Sequence, residues 1–183
     1  MSDDLILVEA FLKGDERSLE TLIERHWKKV FNLCWRLLGN REDAEEATQQ
    51  VFISVFRNIA RFRGDSSFKT WLYTIALNEC RMTGRKNPLN KISVEPADNL
   101  EDTSNPEKEF YSKEKNELLH KALLDLPFKQ RAVITLRINE ELSFKEIADA
   151  TQCSVNSAKV NFQHGINRLK EMMGNEQDAK KQD

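Results

Sequence analysis

Apolar residues recur at spacings of three and four along most of the chain, the stripe that an amphipathic helix lays down. Leu5, Val8, Phe11 and Leu12 mark a first helix, and Leu19, Leu22, Ile23, His26, Val30, Leu33, Cys34 and Leu37 mark a second, which Gly39 stops. Asn40 is suited to cap a third helix. Glu42, Asp43, Glu45 and Glu46 fill its first turns, where carboxylates favour the positive end of the dipole, and Ala44, Ala47, Val51, Phe52, Val55 and Ile59 form its apolar face. After the loop RFRGDSS a fourth helix is predicted from near Ser67 through Trp71, Ile75 and Leu77 to about Thr83. The pattern then fails between Asn87 and Pro106, where Pro88, Pro96 and Pro106 stand among polar residues. It resumes with Leu118, Leu119, Ala122, Leu123 and Leu126, and Pro127 opens a further helix through Val133 and Leu136.

The next signals are those of a helix-turn-helix. Ser143 with Glu146 forms a capping box for SFKEIADAT, Gln152 and Cys153 make a short turn, and Ser154 caps the following helix. In that helix Val155, Ala158, Phe162, Ile166 and Leu169 share one face. Asn156, Ser157, Lys159, Asn161, Gln163, His164 and Arg168 point outward, several of them able to reach bases or phosphates in a major groove. Gly165 inside the helix costs about 1 kcal/mol against alanine, which implies close packing there. The fold expected is all-α, with two small helical domains: a bundle over 1–91, an acidic flexible linker over 92–115, a helix-turn-helix domain over 116–174, and a polar tail over 175–183 whose composition favours disorder.

Charge sharpens this picture through its distribution. The chain of 183 residues is nearly balanced, with a formal charge of -2. Residues 57–91, however, carry Arg57, Arg61, Arg63, Lys69, Arg81, Arg85, Lys86 and Lys91 against Asp65 and Glu79 alone, interleaved with Phe62, Phe68, Trp71 and Tyr73. Cations for phosphates beside aromatic faces for unstacked bases make a surface for nucleic acid, of single-stranded type. Phe68, Trp71 and Tyr73 at helical spacing also suit a core, Trp71 more than the others. Residues 92–117 are acidic, and the helix-turn-helix is close to neutral, so phosphate attraction there is weaker.

Catalysis finds little footing. His26, His120 and His164 are scattered, Cys34, Cys80 and Cys153 show no paired spacing, and no metal cluster, phosphate-cradling loop or activated nucleophile can be picked out. The cysteines read as small buried apolar residues in a reducing compartment, and neither cofactor nor metal is expected. Acids at the start and the lack of a long apolar run place the protein in the cytoplasm, not inserted in a membrane.

Three segments, DAEEATQQVF (43–52), FRGDSSFKTWLYTIALNECR (62–81) and LPFKQRAVITLRINEELSFKEIADATQCSVNSAKVNFQHGINRLK (126–170), in this order and spacing, resemble the extracytoplasmic-function (ECF) sigma factors of bacteria, over about residues 5–172. The resemblance implies a non-enzymatic protein that binds core RNA polymerase, directs it to promoters and helps melt them. It places Asp43, Glu46, Gln49, Gln50 and Phe52 on the clamp helices of the largest polymerase subunit. It makes the loop from Phe62 to Phe68 a pocket for a flipped base of the minus-ten element, with Asn78 and Arg81 nearby and Arg57, Arg61, Arg63, Ser66, Lys69, Trp71 and Arg85 in the same face. The helix-turn-helix, through Ser154, Asn156, Ser157, Lys159, Asn161, Gln163, His164 and Arg168, would read the minus-thirty-five element while its domain sits on the flap of the second-largest subunit. An anti-sigma factor is the implied inhibitory partner. Two other readings remain: a stand-alone helix-turn-helix regulator of duplex DNA, which lacks use for the single-strand patch, and a helical adaptor, for which that patch would be incidental.

Overall fold

A computed structural model describes residues 3–86 and 117–179, with side chains to residue 174. The expected acidic linker lies outside the described residues. Within them the regular structure is helical: α1 (Asp3–Leu12), α2 (Glu16–Leu38), α3 (Arg41–Asn58) and α4 (Phe68–Lys86), then α5 (117–124), α6 (Phe128–Ile138), α7 (Phe144–Thr151) and α8 (Val155–Ala179). A short 3-10 turn, Ile59–Arg61, ends α3.

Local chemistry sets these boundaries. Gly39 terminates α2 in the left-handed conformation at φ 82°, and its N–H bonds to the Trp35 carbonyl. Asn40 then starts α3: its Oδ1 accepts from the Asp43 N–H at 2.7 Å, and its Nδ2 donates to the Asp43 carboxylate at 2.6 Å. Ser67 does the same for α4, its Oγ accepting from the Thr70 N–H. The capping box of Ser143 and Glu146 opens α7, Gln152 ends it at φ 55°, and the Ser154 hydroxyl accepts from the Ser157 N–H at the start of α8.

Helices α2, α3 and α4 wrap around Leu22, Val30, Leu33, Leu37, Val51, Val55, Leu72 and Leu77, all nearly fully buried. Asp4 holds α1 on this bundle, accepting from Arg25 and facing His26 Nε2 at 2.9 Å. The second group closes α6, α7 and α8 around Leu136, Ile147 and Ala158. The close packing expected at Gly165 is present: a methyl there would stand 2.5 Å from Ile134 Cδ1.

Helix α8 runs to Ala179, into the segment set apart as a polar tail. Two expectations need correction. Cys153 is half-exposed in the turn before α8, unlike the buried Cys34 and Cys80. Val155 shares the inward face in projection, yet it is exposed, because that face is covered only from Ala158 onward.

The two groups also pack on each other, α4 against α7 and α2 against α6. Residues of α6 and α7, among them Ala132, Val133, Leu136, Ile147 and Ala148, belong to the same apolar cluster as the bundle core. Along this seam Arg131 donates to the carbonyls of Leu37 in α2, of Leu124 at the end of α5 and of Leu126 just after it. His120 stacks on Trp35 with ring centroids 3.8 Å apart, and a Cβ at Gly39 would meet Leu124 Cδ1 at 2.6 Å.

Candidate nucleic-acid interface

The loop between the 3-10 turn and α4 holds the aromatic and basic groups the sequence singled out. Gly64, at φ 77°, turns the chain with open space around it. Phe62, Phe68 and Trp71 then converge: Phe62 meets Phe68 edge-on at 5.9 Å and Trp71 at 5.3 Å. Phe68 is buried behind the other two, in contact with the His26 ring at 5.5 Å, whereas Phe62 and Trp71 are half-buried. Burial lowers the His26 pKa despite Asp4 beside it, so the ring against Phe68 favours the neutral form.

Arg61, Phe62, Arg63, Asp65, Ser66 and Trp71 line an open cleft of about 230 Å³. That is smaller than the roughly 300–1,000 Å³ of drug-sized sites and leaves room for one planar ring beside the Phe62–Trp71 pair, whose rings touch at 5.3 Å, under a basic rim. Arg61 and Arg63 are exposed at its rim, and Arg57, Asn78 and Arg85 are exposed farther along α3 and α4. Two cations of the same face are otherwise engaged. Lys69 donates to the Glu140 carbonyl at 2.8 Å, and the Arg81 guanidinium lies 5.3 Å from the Phe128 ring centroid. Tyr73 is wholly buried and donates to the Glu140 carboxylate, so its place is the core rather than a stacking face.

On α3, Glu46, Gln49 and Gln50 are exposed, while Asp43 is buried beside Asn40 and Phe52 is buried against Trp27, rings stacked at 5.3 Å. Pattern reading missed the apolar surface next to them. Ile53 and Phe56 are exposed on α3, Phe56 lies against Phe11 of α1 at 6.3 Å, and Trp27 is also open to solvent. The signal was present, because Ile53 and Phe56 fall outside the buried stripe of Val51, Phe52 and Val55.

On α8, Asn156, Lys159, Gln163, His164 and Arg168 are exposed in a row with Val160. Ser157 and Asn161 are half-buried, and the Asn161 amide donates back to the Ser157 carbonyl at 2.8 Å. Gln163 donates to Asn167 one turn on. Among the described residues no group of three or more His, Cys, Asp or Glu could hold a metal, and no helix is long and apolar enough to cross a membrane.

The aromatic cleft and the outward polar face of α8 lie on one helical chain. Residues 22–87 match the sigma-70 region 2 family and residues 116–169 match sigma-70 region 4. The ECF RNA polymerase sigma-E factor of Haemophilus influenzae is 35% identical over 182 residues, covering 94% of each chain. The sigma-E factor of Escherichia coli is 34% identical and the sigma-H factor of Pseudomonas aeruginosa 32% identical, each over 85% of this chain and 86% of the relative. Among solved structures, CnrH in complex with the cytosolic domain of CnrY superposes with a TM-score of 0.72 at 19% identity, covering 94% of this chain and 98% of CnrH. The sigma factor RpoE of Bartonella quintana, in complex with the anti-sigma factor NepR, gives 0.66 at 21% identity over 85% and 96%. The chain belongs to the ECF sigma factors of bacterial RNA polymerase.

Proposed function

We propose that this sigma factor, bound to core RNA polymerase, selects promoters with its two domains in different ways. The cleft lined by Phe62 and Trp71 takes a base flipped from the minus-ten element, and the arginines at its rim hold the strand. Extracting a base costs a few kcal/mol, which a preformed aromatic pocket offsets. The outward face of α8 reads the minus-thirty-five element as duplex, with Lys159 and Arg168 on phosphates and Asn156 and Gln163 positioned for base edges. Glu46, Gln49 and Gln50, extended by Ile53 and Phe56, dock on the polymerase clamp; Asp43 supports them from beneath by holding the start of α3. The protein makes no bonds itself and works in the cytoplasm, where an anti-sigma factor covers these faces, a partner class present in the RpoE–NepR complex.

The observation that carries this reading is the cleft, whose aromatic walls and basic rim have no use in a regulator of duplex DNA alone. Transcription in vitro with core polymerase, with and without the protein, on genomic fragments of its own organism tests it. Discrete start sites that depend on the protein are expected. Absence of transcripts together with failure to bind core polymerase would leave the stand-alone regulator as the better reading.

A further inference from the structure

The turn from Asn139 to Ser143 joins α6 to α7 and is built to hold one carboxylate out from its own domain. Glu141 adopts φ 57°, the Leu142 N–H bonds back to the Leu136 carbonyl at 3.1 Å, and Arg137 donates to the Leu142 carbonyl at 2.8 Å. Arg137 is itself braced over the Phe144 ring at 5.2 Å. The turn thereby delivers Glu140 into α4 of the first domain, where it is 7% exposed. Its carboxylate accepts from Tyr73 and lies 4.0 Å from Lys69 Nζ, and its carbonyl accepts from the same ammonium. Arg36 of α2 and Glu146 of α7 complete the surroundings, since Arg36 feels the Glu140 charge and Glu146 feels Lys69.

A carboxylate buried at this depth is tolerated only because these donors face it, so the contact is specific to the packed arrangement. The same seam places Phe128 under Arg81. Lys69 and Arg81 thus spend their charge on the second domain rather than on a phosphate.

We infer that Glu140 is a latch that closes the free sigma factor on itself: with the turn seated on α4, Lys69 and Arg81 are withheld from single-stranded DNA until the domains part. The inference rests on the reading of α4 as part of the minus-ten face. Apparent DNA affinity then falls by the fraction of molecules that are open, and removing a charge-assisted buried bond shifts that fraction by about tenfold.

The test uses the full chain with Cys153→Ser and spin labels on Glu20→Cys of α2 and Lys170→Cys of α8, both exposed positions. Pulsed dipolar spectroscopy reads the distance between domains, and fluorescence anisotropy reads binding of a mixed-sequence single-stranded oligonucleotide. Glu140→Ala should add a long-distance population and tighten oligonucleotide binding about tenfold. Tyr73→Phe should do the same in kind, since it leaves the surface of α4 unchanged and strands the Glu140 carboxylate. Lys69→Ala placed on Glu140→Ala should reverse the gain. If both latch variants keep the wild-type distance distribution, no latch exists. If the domains part and oligonucleotide affinity stays level, closure is not inhibitory and the inference fails. In that case Lys69→Ala separates the causes: lost binding keeps the DNA face where it is placed here, and unchanged binding removes Lys69 from that face as well.

Discussion

Gly165→Ala is a substitution that helix propensity and packing judge in opposite directions. In a helix interior the change is worth about 1 kcal/mol in favour of alanine. Here the new methyl would sit 2.5 Å from Ile134 Cδ1, 3.3 Å from Gln130 Cβ and 3.4 Å from Ile134 Cγ1. Carbon atoms prefer about 3.5–4.0 Å, so the closest contact is too short by about 1 Å. Ile134 is 3% exposed and cannot swing into solvent, so α6 and α8 must separate or Ile134 must leave its rotamer, at a cost of about 1–3 kcal/mol. The net expectation is a loss of about 1 kcal/mol. Ile134→Val deletes the offending Cδ1 at a cost of about 0.5–1.5 kcal/mol by itself. In that background Gly165→Ala should become neutral or stabilising, a coupling of about 1–2 kcal/mol between the two sites. Urea unfolding followed by far-UV circular dichroism measures all four proteins, and amide exchange in α6 and α8 shows where any loss resides. A Gly165→Ala variant more stable than the parent, by the same amount in both backgrounds, would refute the packing argument.

Three further substitutions test other parts of the structure. Burial of His120 against Trp35, facing Arg36 and Arg131, lowers its pKa to about 4, so protonation opposes the folded seam. Its contribution to stability is complete above pH 6.5 and is lost as the pH falls towards 4, by up to about 3 kcal/mol; His120→Phe keeps the stack and should flatten the urea midpoint between pH 7 and 4.5. Asn40→Ala removes the cap of α3 and leaves the Asp43 carboxylate without its amide partner, and should cost about 1–2 kcal/mol in thermal unfolding. Phe62→Ala should reduce promoter opening, read by permanganate reactivity, at least tenfold with core-polymerase affinity unchanged. Phe68→Ala is the poorer probe, because the buried ring it removes costs about 3–5 kcal/mol of fold stability; equal loss of opening and attachment in Phe62→Ala would indicate a folding defect instead.

What the sequence disclosed and what it hid divide by distance along the chain. The Gly39–Asn40 junction, the Ser143–Glu146 capping box and the Ser154 cap each act across three or four residues, and a pattern of that reach can be read directly. Gly165 was legible for a related reason, since a helical glycine has few uses besides close approach. The cleft formed by Arg61, Phe62, Arg63, Asp65 and Ser66 falls where cations and aromatics crowd one short segment, a concentration that can be read directly. The seam was not legible. Glu140 lies 67 residues from Tyr73 and 71 from Lys69, and nothing local marks a glutamate in a polar turn as buried. Tyr73 and Trp71 are two apart in one helix, yet one is core and the other lines the cleft. Periodicity placed both on the bundle; their separate fates depend on where α7 lands.

The shared core constrains how the domains can part. Because α6, α7 and the turn between them contribute Ala132, Val133, Leu136, Leu142 and Ile147 to the cluster formed by the bundle, opening exposes apolar surface on both sides as well as freeing two cations. A single strand of DNA offers phosphates and bases but little to cover that surface, so on its own it is a weak opener. A ligand shifts such an equilibrium only by its differential affinity for the two states. Under the proposed function core polymerase engages both domains at once and can supply apolar contacts to each, which would make it the ligand that opens the chain. Glu140→Ala should therefore matter before assembly and not after it. The variant is expected to bind core polymerase more tightly or faster than wild type at limiting concentration, and to give the same transcript yield once holoenzyme is saturated. Titration of core polymerase in a single-round transcription assay separates the two regimes. A change in saturated yield would mean that Glu140 acts within the initiation complex, and the division of labour argued from the seam would be wrong.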